Sequence, residues 1–218
     1  MEIGITLRGG SEAAEGTKTE LLVAWQTLST AHHSAPSTGG VYWLGAPLNL
    51  IYGQTVSRIF YIGSSINLRR RLAGHARLGR RGNPLLRVLA EGDPSRILCA
   101  FHGLPHLKEV RLRGFEYGLA KIFAVAHGRL IPYGNQMPPD NESDEDWGDQ
   151  LRVTEPEIPG EALAPEMVAA RFGLSLGEPC HAYSSLVIDP RAGTATDESI
   201  YSIDFRFEKR RRGRVAPA

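Results

Sequence analysis

The sequence predicts an α+β protein, on three observations. Strand-length apolar runs at 41–44, 58–62 and 96–101 alternate with stretches whose apolar residues recur every three or four positions. Caps and breakers mark the joints: Asn67 before one helical stretch, Gly79 and Gly82 after it, and Pro132-Tyr133-Gly134-Asn135 as a turn. A strongly acidic stretch, PPDNESDEDWGDQ, then separates this part from a second set of short periodic segments. The joints divide the chain into 1–39, an N-terminal helix and linker; 40–136, the main domain; 137–160, an acidic linker; and 161–218, a small α+β extension with a basic tail.

The elements follow in order. Residues 1–16 carry no periodicity and read as loosely held. Thr17-Lys18-Thr19-Glu20 has capping-box spacing, and Leu21, Leu22, Trp25 and Leu28 share one helical face, which predicts a helix over 18–30. His33 to Gly40 is rich in breakers and reads as a linker. Strands are expected at 41–44 and 58–62, joined by a long connection containing Pro47, Asn49 and Gly53. Asn67 caps a helix over 68–77 with Leu68, Leu72 and Ala76 facing inward. A short helix over 83–91 and a buried strand over 96–101 come next. A helix over 106–126, broken near Gly114, carries Phe115, Leu119, Ile122 and Phe123 at core spacing. In the extension, 165–172 reads as a helix and 182–188 and 200–208 as strands. The last alternates Tyr201, Ile203, Phe205 and Phe207 with polar residues.

Composition excludes several classes. With 42% hydrophobic and 22% charged residues in 218, the chain has the make-up of a globular domain. It has no run of eighteen apolar residues, so no membrane-spanning helix is expected. The N-terminus lacks a basic stretch followed by an apolar one, so no secretory signal is expected. Two cysteines, Cys99 and Cys180, are too few for a disulfide framework, and together these features suit a cytoplasmic setting. Cys99, His102 and His106 are of zinc-ligand type but lack a fourth partner, and Cys99 reads as a buried strand residue.

The formal net charge of +1 hides a segregation. From Ser57 to Leu130 there are fourteen Arg or Lys against four acids, a balance of +10. From Asp140 to Glu166 there are ten acids against one arginine, a balance of −9. From Arg206 to Arg214 six basic residues face one acid, a balance of +5. Only four of the 25 basic residues are lysines, and the planar fork of arginine suits phosphate oxygens. Clustered positive charge of this kind is what a polyphosphate partner requires.

Several residues in the basic region fall into a recognisable order: Gly40-Val41-Tyr42 on a strand, Tyr61-Ile62-Gly63 on the next, Arg71 ten residues beyond Tyr61, His75 four further on, Glu116 on a later helix, and Asn135 in the turn after Pro132. In this order the chain resembles the catalytic domain of the GIY-YIG nuclease superfamily over about residues 40–136. The resemblance implies a small mixed or antiparallel three-stranded sheet flanked by helices. The nineteen residues from Tyr42 to Tyr61 exceed the family's compact hairpin, and Leu50-Ile51-Tyr52 offers a nearer tyrosine; Gly40 favours Tyr42.

The resemblance implies a DNA endonuclease that uses Mg²⁺, or Mn²⁺ in its place, and no small-molecule cofactor. Tyr42 would be the general base, shared with His75; Tyr61 would orient the phosphate or water; Arg71 would stabilise the transition state; Glu116 would ligate the metal; Asn135 is the family's terminal asparagine. The chemistry is coherent with the spacing. Arg71 and His75, four apart, share a face distinct from the Leu68–Leu72–Ala76 stripe. A carboxylate with waters suits Mg²⁺, and a phenol or imidazole can act as base if positive charge lowers its pKa. Arg69, Arg70, Arg77, Arg80 and Arg81 are the expected DNA-binding surface, and the acidic run at 140–149 is either a solvated linker or a mask over it. The biological role is open between restriction or defence and repair or recombination. The competing class is a non-catalytic nucleic-acid-binding protein using the same fold.

Overall fold

A computed structural model of the chain describes residues 19–79, 83–128, 132–135, 151–155, 160–172, 175–176, 180–188, 195–202 and 205–206. The elements are β1 (Thr19–Leu22), β2 (Gln26–Thr27), α1 (Leu28–Ser34), β3 (Gly40–Tyr52), β4 (Thr55–Ser65), α2 (Leu68–Ala76), α3 (Pro84–Ala90), a 3₁₀ turn (Pro94–Arg96), β5 (Leu98–Gly103) and α4 (Glu109–Ala126). After these come β6 (Leu151–Thr154), β7 (Ala162–Leu163), α5 (Pro165–Phe172), β8 (Ser175–Leu176), β9 (Cys180–Ile188), β10 (Ala195–Ser202) and β11 (Phe205–Arg206). The acidic run at 140–149, Arg80, Arg81 and the tail from 207 lie outside the described residues.

The protein is α+β, with a mixed five-stranded sheet flanked by helices. β3 is the central strand. It pairs antiparallel with β4 on one side and with β5 on the other. β2 extends the sheet beyond β5, and β7 joins β3 in parallel at Asn49 and Leu50. The expected three strands are present as β3, β4 and β5, and two short strands from outside residues 40–136 enlarge the sheet.

The long connection expected between the first two strands is instead strand. β3 runs on to Tyr52, turns at Gly53, whose φ is +60°, and returns as β4. Between the pairs Gly45–Ile59 and Leu50–Ser57, residues 46–49 stand opposite Arg58 alone. Pro47 sits in this bulge, off the regular ladder, where a missing N–H costs nothing.

Side chains alternate along the hairpin. Tyr42, Leu44, Tyr61 and Gly63 form one face, which meets α2, itself packed on α1. Trp43, Ile62 and Ser64 form the other, which meets α4. Leu68 and Leu72 of α2 and Phe115, Leu119 and Phe123 of α4 are buried at the expected spacing, each contributing about 1.5–3 kcal/mol of apolar burial. α4 is continuous through Gly114, without the expected break.

The N-terminal expectation is wrong in place. Residues 19–22 pair in parallel with 151–154, and the helix begins only at Leu28, after Thr27. Pairing with a distant strand overrides the local capping-box signal. Nor is there a packing boundary at residue 39, since β2 belongs to the sheet and α1 packs on α2. In the extension, α5 lies where expected. β9 and β10 form a hairpin, and the predicted strand over 200–208 divides between the end of β10 and β11, which pairs with β8. No helix among the described residues is long and apolar enough to cross a membrane.

Candidate active site

Two glycines explain how the two tyrosines meet. A Cβ on Gly63 would lie 2.5 Å from the Tyr42 hydroxyl oxygen and 2.7 Å from Tyr61 Cε1, so the bare backbone seats both rings. A Cβ on Gly40 would lie 2.2 Å from the His102 carbonyl and 2.6 Å from a Leu68 methyl, so glycine lets β5 and α2 close on β3. The Tyr42 and Tyr61 ring centroids are 5.9 Å apart.

α2 supplies the other half. Asn67 accepts from Arg70 N and caps the helix, which fixes its first turn. One turn on, Arg71 Nε donates to the Tyr42 hydroxyl at 2.9 Å, and the same hydroxyl lies 2.9 Å from His75 Nε2. Arg71 also engages the Tyr61 hydroxyl. The nearer tyrosine of the sequence, Tyr52, is elsewhere: its hydroxyl donates to Ile59 O and its ring stacks on Tyr133 at 4.2 Å.

Burial decides the protonation states. Tyr42 is fully buried, and burial pushes its phenol well above 10; Tyr61 adds to this, and Arg71 opposes it without prevailing. The condition of a phenol lowered by positive charge is therefore not met in the free protein, because burial outweighs the neighbouring charge. His75 is buried too, and burial followed by the Arg71 charge pulls it down to about 3. A neutral His75 accepts at Nε2 and Tyr42 donates, while Arg71 donates to the phenol oxygen.

This arrangement has a consequence for stability. Between pH 6.5 and about 3 the unfolded chain binds a proton at position 75 and the folded chain does not. Folding thus loses about 1.4 kcal/mol per pH unit over that window, and nothing above it. Urea unfolding at pH 7 and pH 5 is expected to show the stability gap between the wild type and His75→Gln shrinking as pH falls. A gap independent of pH would mean that His75 titrates in the folded state as it does in the unfolded one.

Glu116 approaches from the opposite face. Its Oε2 accepts from Ser64 Oγ at 2.6 Å. Burial raises its pKa, against the lowering effects of the Ser64 bonds and the charges of Arg71 and Arg113. It is a single carboxylate: no three His, Cys, Asp or Glu residues cluster among the described residues. Ser64 went unremarked in the sequence; its position directly after Tyr-Ile-Gly at a strand end was the available signal.

Asn135 does not join the phenol cluster. Its Oδ1 accepts from Ile62 N at 2.9 Å and its Nδ2 donates to Ile62 O at 2.7 Å, while Gly134 N donates to Phe60 O. The side chain acts as an extra peptide group on the outer edge of β4, covering an edge that would otherwise be open. It thereby fixes the residue between Tyr61 and Gly63.

The expected DNA-binding arginines separate. Arg70 on α2 and Arg77 at its C-terminal cap, seven apart, are exposed. Arg69 Nε instead donates to Ala35 O at the end of α1, a helix-end cap. Cys99 is buried in β5 with its thiol pushed up by burial, in keeping with a strand residue.

A cavity of about 900 Å³ lies away from this cluster, between the far half of the hairpin and the end of α4. Its polar groups are engaged with one another. Both Glu155 oxygens accept from the hairpin, at Ser57 Oγ and Arg58 N, and Asn49 bonds Arg58 and Gly160. That network fastens Glu155 and Gly160, from the end of the expected linker, to the sheet. In comparisons with known proteins, no family model, no curated protein and no solved structure matches this chain.

Proposed function

We propose that the chain is a Mg²⁺-dependent DNA endonuclease with a catalytic domain of the GIY-YIG type, in which Mn²⁺ substitutes. The observation that carries this reading is the Tyr42 hydroxyl, bonded at 2.9 Å to both Arg71 Nε and His75 Nε2. It sets a proton path ending on a neutral imidazole beside a cation suited to a phosphate.

The residues divide the work as follows. Arg71, solvent-facing on α2, takes the scissile phosphate and meets the charge that builds on its oxygens. The Tyr42 hydroxyl is closed off in the free protein, so water reaches it only when Arg71 moves toward the phosphate. As the water oxygen bonds to phosphorus and the bond to the leaving oxygen breaks, the water proton passes to the Tyr42 oxygen and the phenol proton to His75 Nε2. The phosphate charge offsets the repulsion between Arg71 and the imidazolium so formed. Tyr61 holds the phosphate or water in line. Glu116 fits a hard cation, being a partly buried carboxylate fixed in place by Ser64. A bound Mg²⁺ supplies charge neutralisation and assists the leaving oxygen. Arg70 and Arg77 add backbone affinity.

The test is an incubation of the full chain with duplex, single-stranded, flap and branched DNA in Mg²⁺, with product ends mapped. Cuts at fixed duplex positions indicate a restriction-type enzyme, and cuts at flaps or junctions a repair or recombination enzyme. Binding without cutting on every substrate would leave the non-catalytic binding protein as the correct reading.

A further inference from the structure

Three consecutive residues close β4, and each is used differently. Gly63 seats the Tyr42 ring. Ser65 Oγ accepts from Asn67 N at 3.1 Å and donates to Asn67 O at 3.0 Å, shaping the turn into α2 and so the placement of Arg71. Ser64, on the opposite face, donates to Glu116 Oε2 at 2.6 Å. One short run of backbone thus ties the phenol, the arginine helix and the carboxylate to one another.

Glu116 needs such a tie. A glutamate side chain has three rotatable bonds and several accessible rotamers. The Arg71 charge reaches this carboxyl, yet no ion pair joins the two. A contact ion pair would occupy the carboxylate and the guanidinium together. Ser64 bonds this carboxylate through its hydroxyl, at Oε2, and through its backbone.

We propose that Ser64 is a positioning residue for the cation-binding carboxylate: its hydroxyl, bonded to Oε2, holds Glu116 in the rotamer that meets the divalent cation. The proposal rests on the reading of Glu116 as the metal ligand. Outer-shell hydrogen bonds to metal ligands are commonly worth about 10–100-fold in metal affinity.

The test is Mn²⁺ titration of the full chain without DNA, followed by loss of the free-ion EPR signal, together with the Mn²⁺ concentration giving half-maximal cleavage. Ser64→Ala should weaken Mn²⁺ binding by about tenfold or more, with the maximal single-turnover rate largely recovered at saturating Mn²⁺. Ser64→Thr, which keeps the hydroxyl, should stay within about threefold of the wild type, and Glu116→Gln should lose binding altogether. If Ser64→Ala fails to fold, Ser64→Cys keeps the volume with a much weaker donor and takes its place. Loss of binding in Glu116→Gln with unchanged affinity in Ser64→Ala overturns the role of Ser64 and leaves the metal assignment standing. Unchanged affinity in Glu116→Gln, or no binding by the wild type, overturns both.

Discussion

Glu116→Gln is expected to abolish DNA cleavage in Mg²⁺ while the protein stays folded and still binds DNA. The amide is isosteric and its oxygen can still accept the Ser64 hydroxyl, so α4 keeps its seat on β4. What is lost is the charge. That charge is already disfavoured by burial, as the raised pKa of Glu116 shows, so its removal costs the fold little. A cation, by contrast, has little reason to bind a neutral amide in place of a carboxylate. Single-turnover cleavage, a gel-shift titration and a thermal melt on the same preparation separate these effects. Cutting at the wild-type rate in Mg²⁺ would remove Glu116 from the site.

Arg71→Ala is expected to lower the single-turnover rate on saturating DNA by about a hundredfold or more, the scale of losing one donor to a developing charge. One feature makes this arginine unlike its neighbours: its Nε donates to the buried Tyr42 hydroxyl. Arg71→Lys should recover little of the rate, since an ammonium keeps the charge but not the planar fork. Arg70→Ala should weaken binding and steepen nothing in turnover, because Arg70 is exposed on another face. Arg69→Ala should act on stability, by about 1 kcal/mol, through loss of the bond to Ala35 O. Equal, small rate losses for all three would contradict a special role for Arg71.

Much of the α2 side of the site was legible because its signals are local. Asn67, Leu68 and Leu72 specify the helix, and a spacing of four puts Arg71 and His75 on one face. The phenol that joins them comes from a strand, and only the Gly-x-Tyr pattern pointed to it. What was misread depended on distant partners. Residues 19–22 carry a helix-start pattern but pair with 151–154. Pro47 and Asn49 look like loop residues but occupy a bulge within a long hairpin. Asn135 is a good turn residue whose side chain is spent on Ile62, and Ser64 bonds a carboxylate 52 positions away. The direction of the Tyr42 pKa was not legible for a related reason. The arginine beside it is visible in a helix pattern, but complete burial of a strand residue appears only once the layers are assembled.

The central claim, metal-dependent hydrolysis of DNA by this chain, is tested most directly by incubating the full-length protein with supercoiled plasmid in Mg²⁺, in EDTA, and in EDTA followed by excess Mg²⁺. The account predicts nicked or linear plasmid in the first and third reactions and intact supercoils in the second. Cleavage that persists in EDTA, or plasmid that is retarded on a gel yet stays supercoiled in Mg²⁺, would contradict it.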